Sequence, residues 1–225
     1  MPATTGGTTP EAPTSSPVVS LVAPPILEVT APPVVTSTSA PFVPFAVTTW
    51  ADNVLLRANP GHLFQRLSTL SKGTSLQVLG RSPGAEWLLV QTGGNSVGWV
   101  FTQLVEADDA KVLRAPEIEP QDAQHVMGRV LDPAGRAISG IQFAIVQGEG
   151  SNAPRTDAMT DETGIFHAFM PLNASGTWWV GYTAISCESN RMSEDCSTWV
   201  GEPAPKGMYI ELPQANGTTM DFVWQ

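Results

Sequence analysis

Two cysteines, two tyrosines and no uninterrupted apolar run of eighteen residues set the first limits on this 225-residue chain. Cys187 and Cys196 alone cannot build a four-cysteine zinc ribbon, and the eight residues between them do not have the spacing of a CxxC redox motif. The missing apolar run excludes an encoded membrane-spanning helix. Basic residues are also scarce, eleven against twenty-one acids. No basic stripe is available to neutralise a phosphate backbone, so nucleic acid is not an expected partner. Charged residues of both signs make up 14% of the chain, well under the roughly 25% of an average soluble domain. A secreted or cell-surface β-protein fits that balance.

Chemistry-bearing patterns are absent too. His62, His125 and His167 stand apart in sequence, with no HExxH and no Cys-His cluster, so neither a metal nor a cofactor is expected. Asp157, Asp161 and Glu162 surround a turn and could hold calcium. The EF-hand pattern is missing, however, and Asp161 is expected to bond its own turn instead. No nucleophile elbow, P-loop or dinucleotide fingerprint occurs, and a non-catalytic protein is expected. Met1-Pro2-Ala3-Thr4-Thr5-Gly6-Gly7 lacks the basic start and apolar middle of a signal peptide.

Glycine and proline are abundant, twenty of each, and call for many turns and few long helices. Ten of the prolines fall in residues 1–44, together with thirteen Ser or Thr and no Lys or Arg. Proline fixes φ and removes a donor, so this segment is expected to be a disordered, extended stalk.

Residues 45–106 carry closely spaced strand and turn cues. Phe45-Ala46-Val47-Thr48 opens a strand, Asn59-Pro60-Gly61 is a tight turn, and Leu76 to Leu79 follows the Lys72-Gly73 turn. Trp87 to Val90 and Val97 to Phe101 are joined by Thr92-Gly93-Gly94-Asn95, a hairpin signal. At least four short strands in about sixty residues predict a small barrel with a small core. The ordered cues Leu56-Arg57-Ala58-Asn59-Pro60-Gly61, Lys72-Gly73-Thr74, Trp87, Val90 and Gly98-Trp99-Val100 resemble the bacterial SH3-like (SH3b) family. Leu55 departs from it, standing where the family often has Asn. That resemblance implies an SH3-like barrel and binding of peptidoglycan or peptide.

Residues 107–123 read as an acidic linker in which Pro116 and Pro120 break any helix. Residues 124–225 alternate again: His125 to Val130, Ile141 with Phe143 and Ile145, Trp178 to Thr183, Met208 to Leu212, and Met220 to Trp224. Six or seven strands without a helical period predict a β-sandwich. Gly128-Arg129-Val130, Asp132 with Gly135, Gly140-Ile141-Gln142-Phe143, and Thr160-Asp161 with Gly164 and Phe166 resemble the carboxypeptidase-regulatory-like, prealbumin-type Ig-like sandwich. The excursion from Cys187 to Cys196 departs from that pattern. It suits a loop-closing disulfide, which favours an oxidising compartment.

The whole is therefore expected to be all-β, a barrel followed by a sandwich on a Pro/Thr-rich tail, outside the cell or on its envelope. From their loop positions, Arg57, Asn59, His62 and Trp87 are the expected barrel contacts for a cell-wall polymer, glycan or peptide. The sandwich would act as a spacer or bind a partner, another surface protein or a second copy. Adhesion is the leading reading. The alternative is a structural surface or fibre subunit that assembles through its β-domains. Trp178 and Trp179 are adjacent on one strand and must point to opposite faces, so one of them should face outward. An exposed aromatic there would suit stacking on sugar rings or a protein contact.

Overall fold

A computed structural model describes residues 42–185, 201–215 and 218–225. The expected stalk, apart from residues 42–44, lies outside the described residues, and so does the expected Cys187–Cys196 disulfide. Phe42, placed in the stalk by composition, instead packs half-buried on the barrel core, with its ring edge-on to Phe45 at 6.3 Å.

Seven strands build the barrel: β1 (Phe45–Thr49), β2 (Val54–Arg57), β3 (Arg66–Leu70), β4 (Ser75–Arg81), β5 (Trp87–Thr92), β6 (Val97–Phe101) and β7 (Val105–Glu106). They form one sheet in the order β3-β2-β6-β5-β4-β1-β7. Alternation decides what they bury. Leu76 and Val78 of β4, Leu88 and Val90 of β5, and Val100 of β6 meet Leu56 of β2 in a fully enclosed core. Asn95 takes φ 63° in the β5–β6 hairpin and donates its backbone N–H to Thr92 O at 2.9 Å, closing the turn that its sequence signals.

The segment 107–123 is not helix-free. Asp108 caps a short helix α1 (Asp109–Arg114) by accepting the Lys111 backbone N–H, and the helix ends before Pro116. Beyond it the chain runs beside β4. Arg81 donates its backbone N–H to Pro116 O at 2.9 Å, and Ile118 donates to Arg81 O at 2.8 Å. The segment thus adds a bridge to the barrel where a solvated linker was expected.

The second half forms two four-stranded sheets. One has the order β10-β9-β12-β14, from β9 (Ile141–Val146), β10 (Arg155–Met159), β12 (Gly176–Ile185) and β14 (Gly207–Leu212). The other has the order β11-β8-β15-β13, from β8 (Ala123–Leu131), β11 (Ile165–Pro171), β13 (Pro203–Ala204) and β15 (Thr219–Trp224). β15 runs parallel to β8, while the other pairings are antiparallel. Phe143, Phe166 and Phe222 fill the space between the sheets, with Phe143 centred 4.6 Å from each of the other two. Truncating any one of them to alanine would cost about 3–5 kcal/mol. The chain is all-β, as its alternation predicts. Barrel and sandwich belong to a single compact unit, Pro41–Gln225.

Candidate functional site

The four expected contact residues sit where the barrel meets the sandwich. The turn between β2 and β3, residues 58–65, leans on the sandwich because Gly61 has no side chain. A Cβ there would lie 2.7 Å from Phe169 O of β11, and the φ of 131° disfavours any other residue. Next to it, His62 donates its backbone N–H to Thr156 Oγ1 of β10 at 3.4 Å, and Leu63 packs against the sandwich core. The His62 ring stands edge-on to Trp87 at 5.4 Å and to Phe101 at 5.7 Å. Burial lowers its pKa, with Arg57 and Arg155 adding to the effect and Asp157 opposing it. Trp87 is only 3% exposed. Asn59 Nδ2 donates to Gln121 O at 2.7 Å, and Arg57 donates to Phe64 O at 2.8 Å.

Arg57, Asn59, His62 and Trp87 are brought together at one end of the barrel; Arg57 and Asn59 each donate to a backbone carbonyl and Trp87 is buried, whereas His62 is exposed. The His62 backbone N–H bonds sandwich strand β10, whereas Arg57 and Trp87 find their partners, Phe64 O and the Phe101 ring, within the barrel.

A second barrel turn completes the seam. Pro83–Ala85 forms one 3₁₀ turn between β4 and β5, and Gly84, at φ 75°, lets His167 of β11 approach to 3.0 Å from where a Cβ would stand. Glu86, at the end of this turn, is 7% exposed. Burial raises its carboxyl well above the usual carboxylate range. The Met159 backbone N–H of β10 opposes that rise, while Asp157 and Asp161 add to it.

His167 belongs to a chain of titratable groups that no local motif announces. His125 Nε2 and His167 Nδ1 are 3.0 Å apart. Glu119 Oε1 lies 3.2 Å from His125 Nδ1, and Asp161 Oδ2 lies 3.8 Å from His167 Nε2. With His125 Nδ1–H donating to Glu119, His125 Nε2 accepts from His167 Nδ1–H, a tautomer pair inferred from the partners. His125 also stacks on Phe169 at 4.6 Å. Burial, then His125, then Arg81 push His167 down to about 4, against Asp161 and Glu117. Burial lowers His125 as well, against Glu119.

Between these elements lies a cleft of about 280 Å³, lined among others by Arg81, Pro83, Leu113, Glu117, Asp161 and His167. Arg81 bonds Glu117 Oε2 at 2.8 Å, yet its buried Nε–H has no partner among the described residues. Asp161 Oδ1 accepts the backbone N–H groups of Thr163 at 2.8 Å and Ile165 at 3.1 Å, the self-bonded turn that the sequence suggests. Among the described residues, no group of three or more His, Cys, Asp or Glu side chains is placed to hold a metal ion.

Of the tryptophan pair, Trp178 points into the sandwich core at 2% exposed and Trp179 faces outward at 37%. Sequence reasoning missed Arg81, Glu86, His125, His167 and Glu119 as seam residues. The two histidines are 42 residues apart.

Comparison with known proteins bears on the barrel. Residues 52–106 match the family model of the bacterial SH3 domain. No curated protein matches the chain. Among solved structures, the Bacillus anthracis TIE protein is similar at 12% identity and a TM-score of 0.30, over 81% of this chain and 34% of that one. The chain thus spans about a third of that structure's length.

Proposed function

We propose that this chain is a non-catalytic binding module of the bacterial cell envelope or exterior, with the barrel–sandwich seam as its contact surface. The bacterial SH3 match over residues 52–106 supports a wall-polymer or peptide ligand. The sandwich is read as a prealbumin-type, carboxypeptidase-regulatory-like domain that supplies the second wall of the cleft and not merely a spacer.

The observation that carries this reading is the cleft of about 280 Å³ at the seam, with the Arg81 guanidinium, Glu117, Asp161 and His167 in its lining. A guanidinium at such a cleft suits a ligand carbonyl or carboxylate, since its N–H groups bond charged and polar oxygens strongly. The other polar groups favour binding over chemistry. Asp161 is held by its own turn, His167 Nδ1 by His125, and a pKa of about 4 leaves His167 neutral at neutral pH. Pro83 and Leu113 add apolar wall, which suits a peptide or the peptide-bearing part of a wall polymer.

The test is co-sedimentation of the full chain with purified bacterial cell walls, before and after removal of their peptide component by amidase. The chain should pellet with intact walls. Arg81→Gln should weaken binding about ten-fold, as expected for loss of one charge-assisted hydrogen bond. A chain that stays in the supernatant with intact walls overturns the reading.

A further inference from the structure

The outer face of the β10-β9-β12-β14 sheet carries a built aromatic surface that the seam does not use. Strand register places Arg155, Val146, Trp179 and Tyr209 in one row across the four strands. Trp179 and Tyr209 lie 4.8 Å apart between ring centres and are inclined at 58°. Tyr209 is 72% exposed, an unusual position for so large a ring on a sheet face.

The indole is held flat by what is missing beneath it. Gly181 on β12 and Gly207 on β14 are cross-strand partners in the adjoining row. A Cβ on Gly181 would sit 2.3 Å from Trp179 Nε1, and one on Gly207 would sit 2.4 Å from Trp179 Cζ2. Any side chain at either position would lift the ring. The two glycines therefore form a floor on which the indole lies along the sheet, leaving its outer surface open.

Around this floor is a trough of about 560 Å³, lined by Val146, Gly148, Glu149, Thr177, Trp179 and Tyr209. That volume falls within the range of small-molecule sites. At its edge Thr177 Oγ1 donates to Glu211 Oε1, ordering that carboxylate. The base in the row, Arg155, is engaged by Asp157 at 2.9 Å. The charged groups left at the rim are therefore carboxylates, Glu149 and Glu211, beside the Tyr209 hydroxyl.

We propose that this trough binds a pyranose ring of a neutral glycan. A pyranose has an apolar C–H face and a polar hydroxyl edge. The first matches a flat indole beside a tyrosine, and the second matches Glu149 and the Thr177–Glu211 pair. An apolar protein surface would bury those carboxylates without partners, which is costly. Acidic sugars and phosphates would meet like charge. An ammonium group is best held by several ring faces closing around it, whereas these two rings, on an open sheet, line one side. The site lies on the sandwich, away from the Arg81 cleft, and stands independently of the reading proposed for that cleft.

The test is isothermal titration of the full chain with soluble hexasaccharides of β-glucose, xylose, mannose and N-acetylglucosamine, with tetramethylammonium as the cation arm. At least one sugar should bind. Trp179→Ala should weaken it at least about ten-fold and Tyr209→Ala a few-fold, in line with the worth of an aromatic contact. Because Tyr209 is so exposed, its variant folds normally and keeps the test decisive should Trp179→Ala disturb the sheet. Failure of every sugar to bind overturns the proposal, as does sugar binding unchanged in both variants. Binding of tetramethylammonium alone also overturns it.

Discussion

Replacing His167 with glutamine should remove most of an acid sensitivity built into the seam. The imidazole has a pKa of about 4 in the folded chain, against about 6.5 in an unfolded one. Between those values the unfolded state binds the extra proton and the folded state does not, so stability falls as pH falls. Full titration, below pH 4, is worth about 3 kcal/mol. By pH 5 the loss is already about 2 kcal/mol relative to neutral pH. His167 is mostly enclosed, with its side chain 14% exposed, so solvent screening takes little from this figure. The groups facing it are His125, Asp161, Glu117 and Arg81. Glu86 runs the opposite way: its raised folded-state pKa makes stability fall as pH rises above the ordinary glutamate value. A single pH curve therefore mixes opposing contributions, and the mutant comparison separates them. Urea unfolding of wild type and His167→Gln at pH 7.5 and 5.0 should show the wild type losing about 2 kcal/mol more than the variant between the two pH values. In thermal scans that is an extra drop of roughly 4–8 °C for a unit of this size. Glutamine can still donate to His125 Nε2, so the hydrogen bond itself is largely preserved. Equal losses in both proteins would refute the assignment of acid sensitivity to the histidine pair.

Two further substitutions probe the same seam. Glu86→Gln removes a buried ionisable group whose Oε2 has no partner among the described residues. The variant should gain on wild type progressively as pH rises above about 4.5, read by urea unfolding across pH 5–9, whereas a constant difference over that range would contradict it. Gly84→Leu puts a side chain at φ 75° against the His167 ring. It should destabilise the chain by about 1–3 kcal/mol and speed protease cleavage at the β4–β5 turn; wild-type stability would mean that the barrel and sandwich do not press together there.

Much of the fold was legible because the β-period is local. Leu76 and Val78, or Phe143 and Ile145, declare their buried face within three residues. The barrel's turns were legible for the same reason, since Lys72-Gly73 and Gly94-Asn95 need only their own backbone angles. The helix Asp109–Arg114 was missed because Pro116 and Pro120 dominate the composition there, although Asp108 is a sound N-cap for a six-residue helix that stops short of them. The His125–His167 pair was invisible for a different reason. It depends on the β8–β11 register, in which Phe169 opposes His125, and that register is set by the sandwich core and not by residues near either histidine.

The four expected contact residues place a constraint on function. Arg57, Asn59, His62 and Trp87 have the chemistry of a binding surface, polar tips on turns over an aromatic floor, and they do make one. Their partners are Phe64 O, Gln121 O, Thr156 Oγ1 and the ring of Phe101. A ligand seeking the buried Trp87 would have to displace the turn above it, exposing Leu63 and the Trp87–Phe101 pair, whereas His62 is already exposed. Side chains of this size are worth about 1.5–3 kcal/mol each when buried. Displacing several of them would consume most of a micromolar binding energy of about 8 kcal/mol. Binding is therefore cheaper at surfaces already open in the folded chain, such as the Arg81 cleft, the Trp179–Tyr209 trough and the exposed His62 edge, than at the buried Trp87.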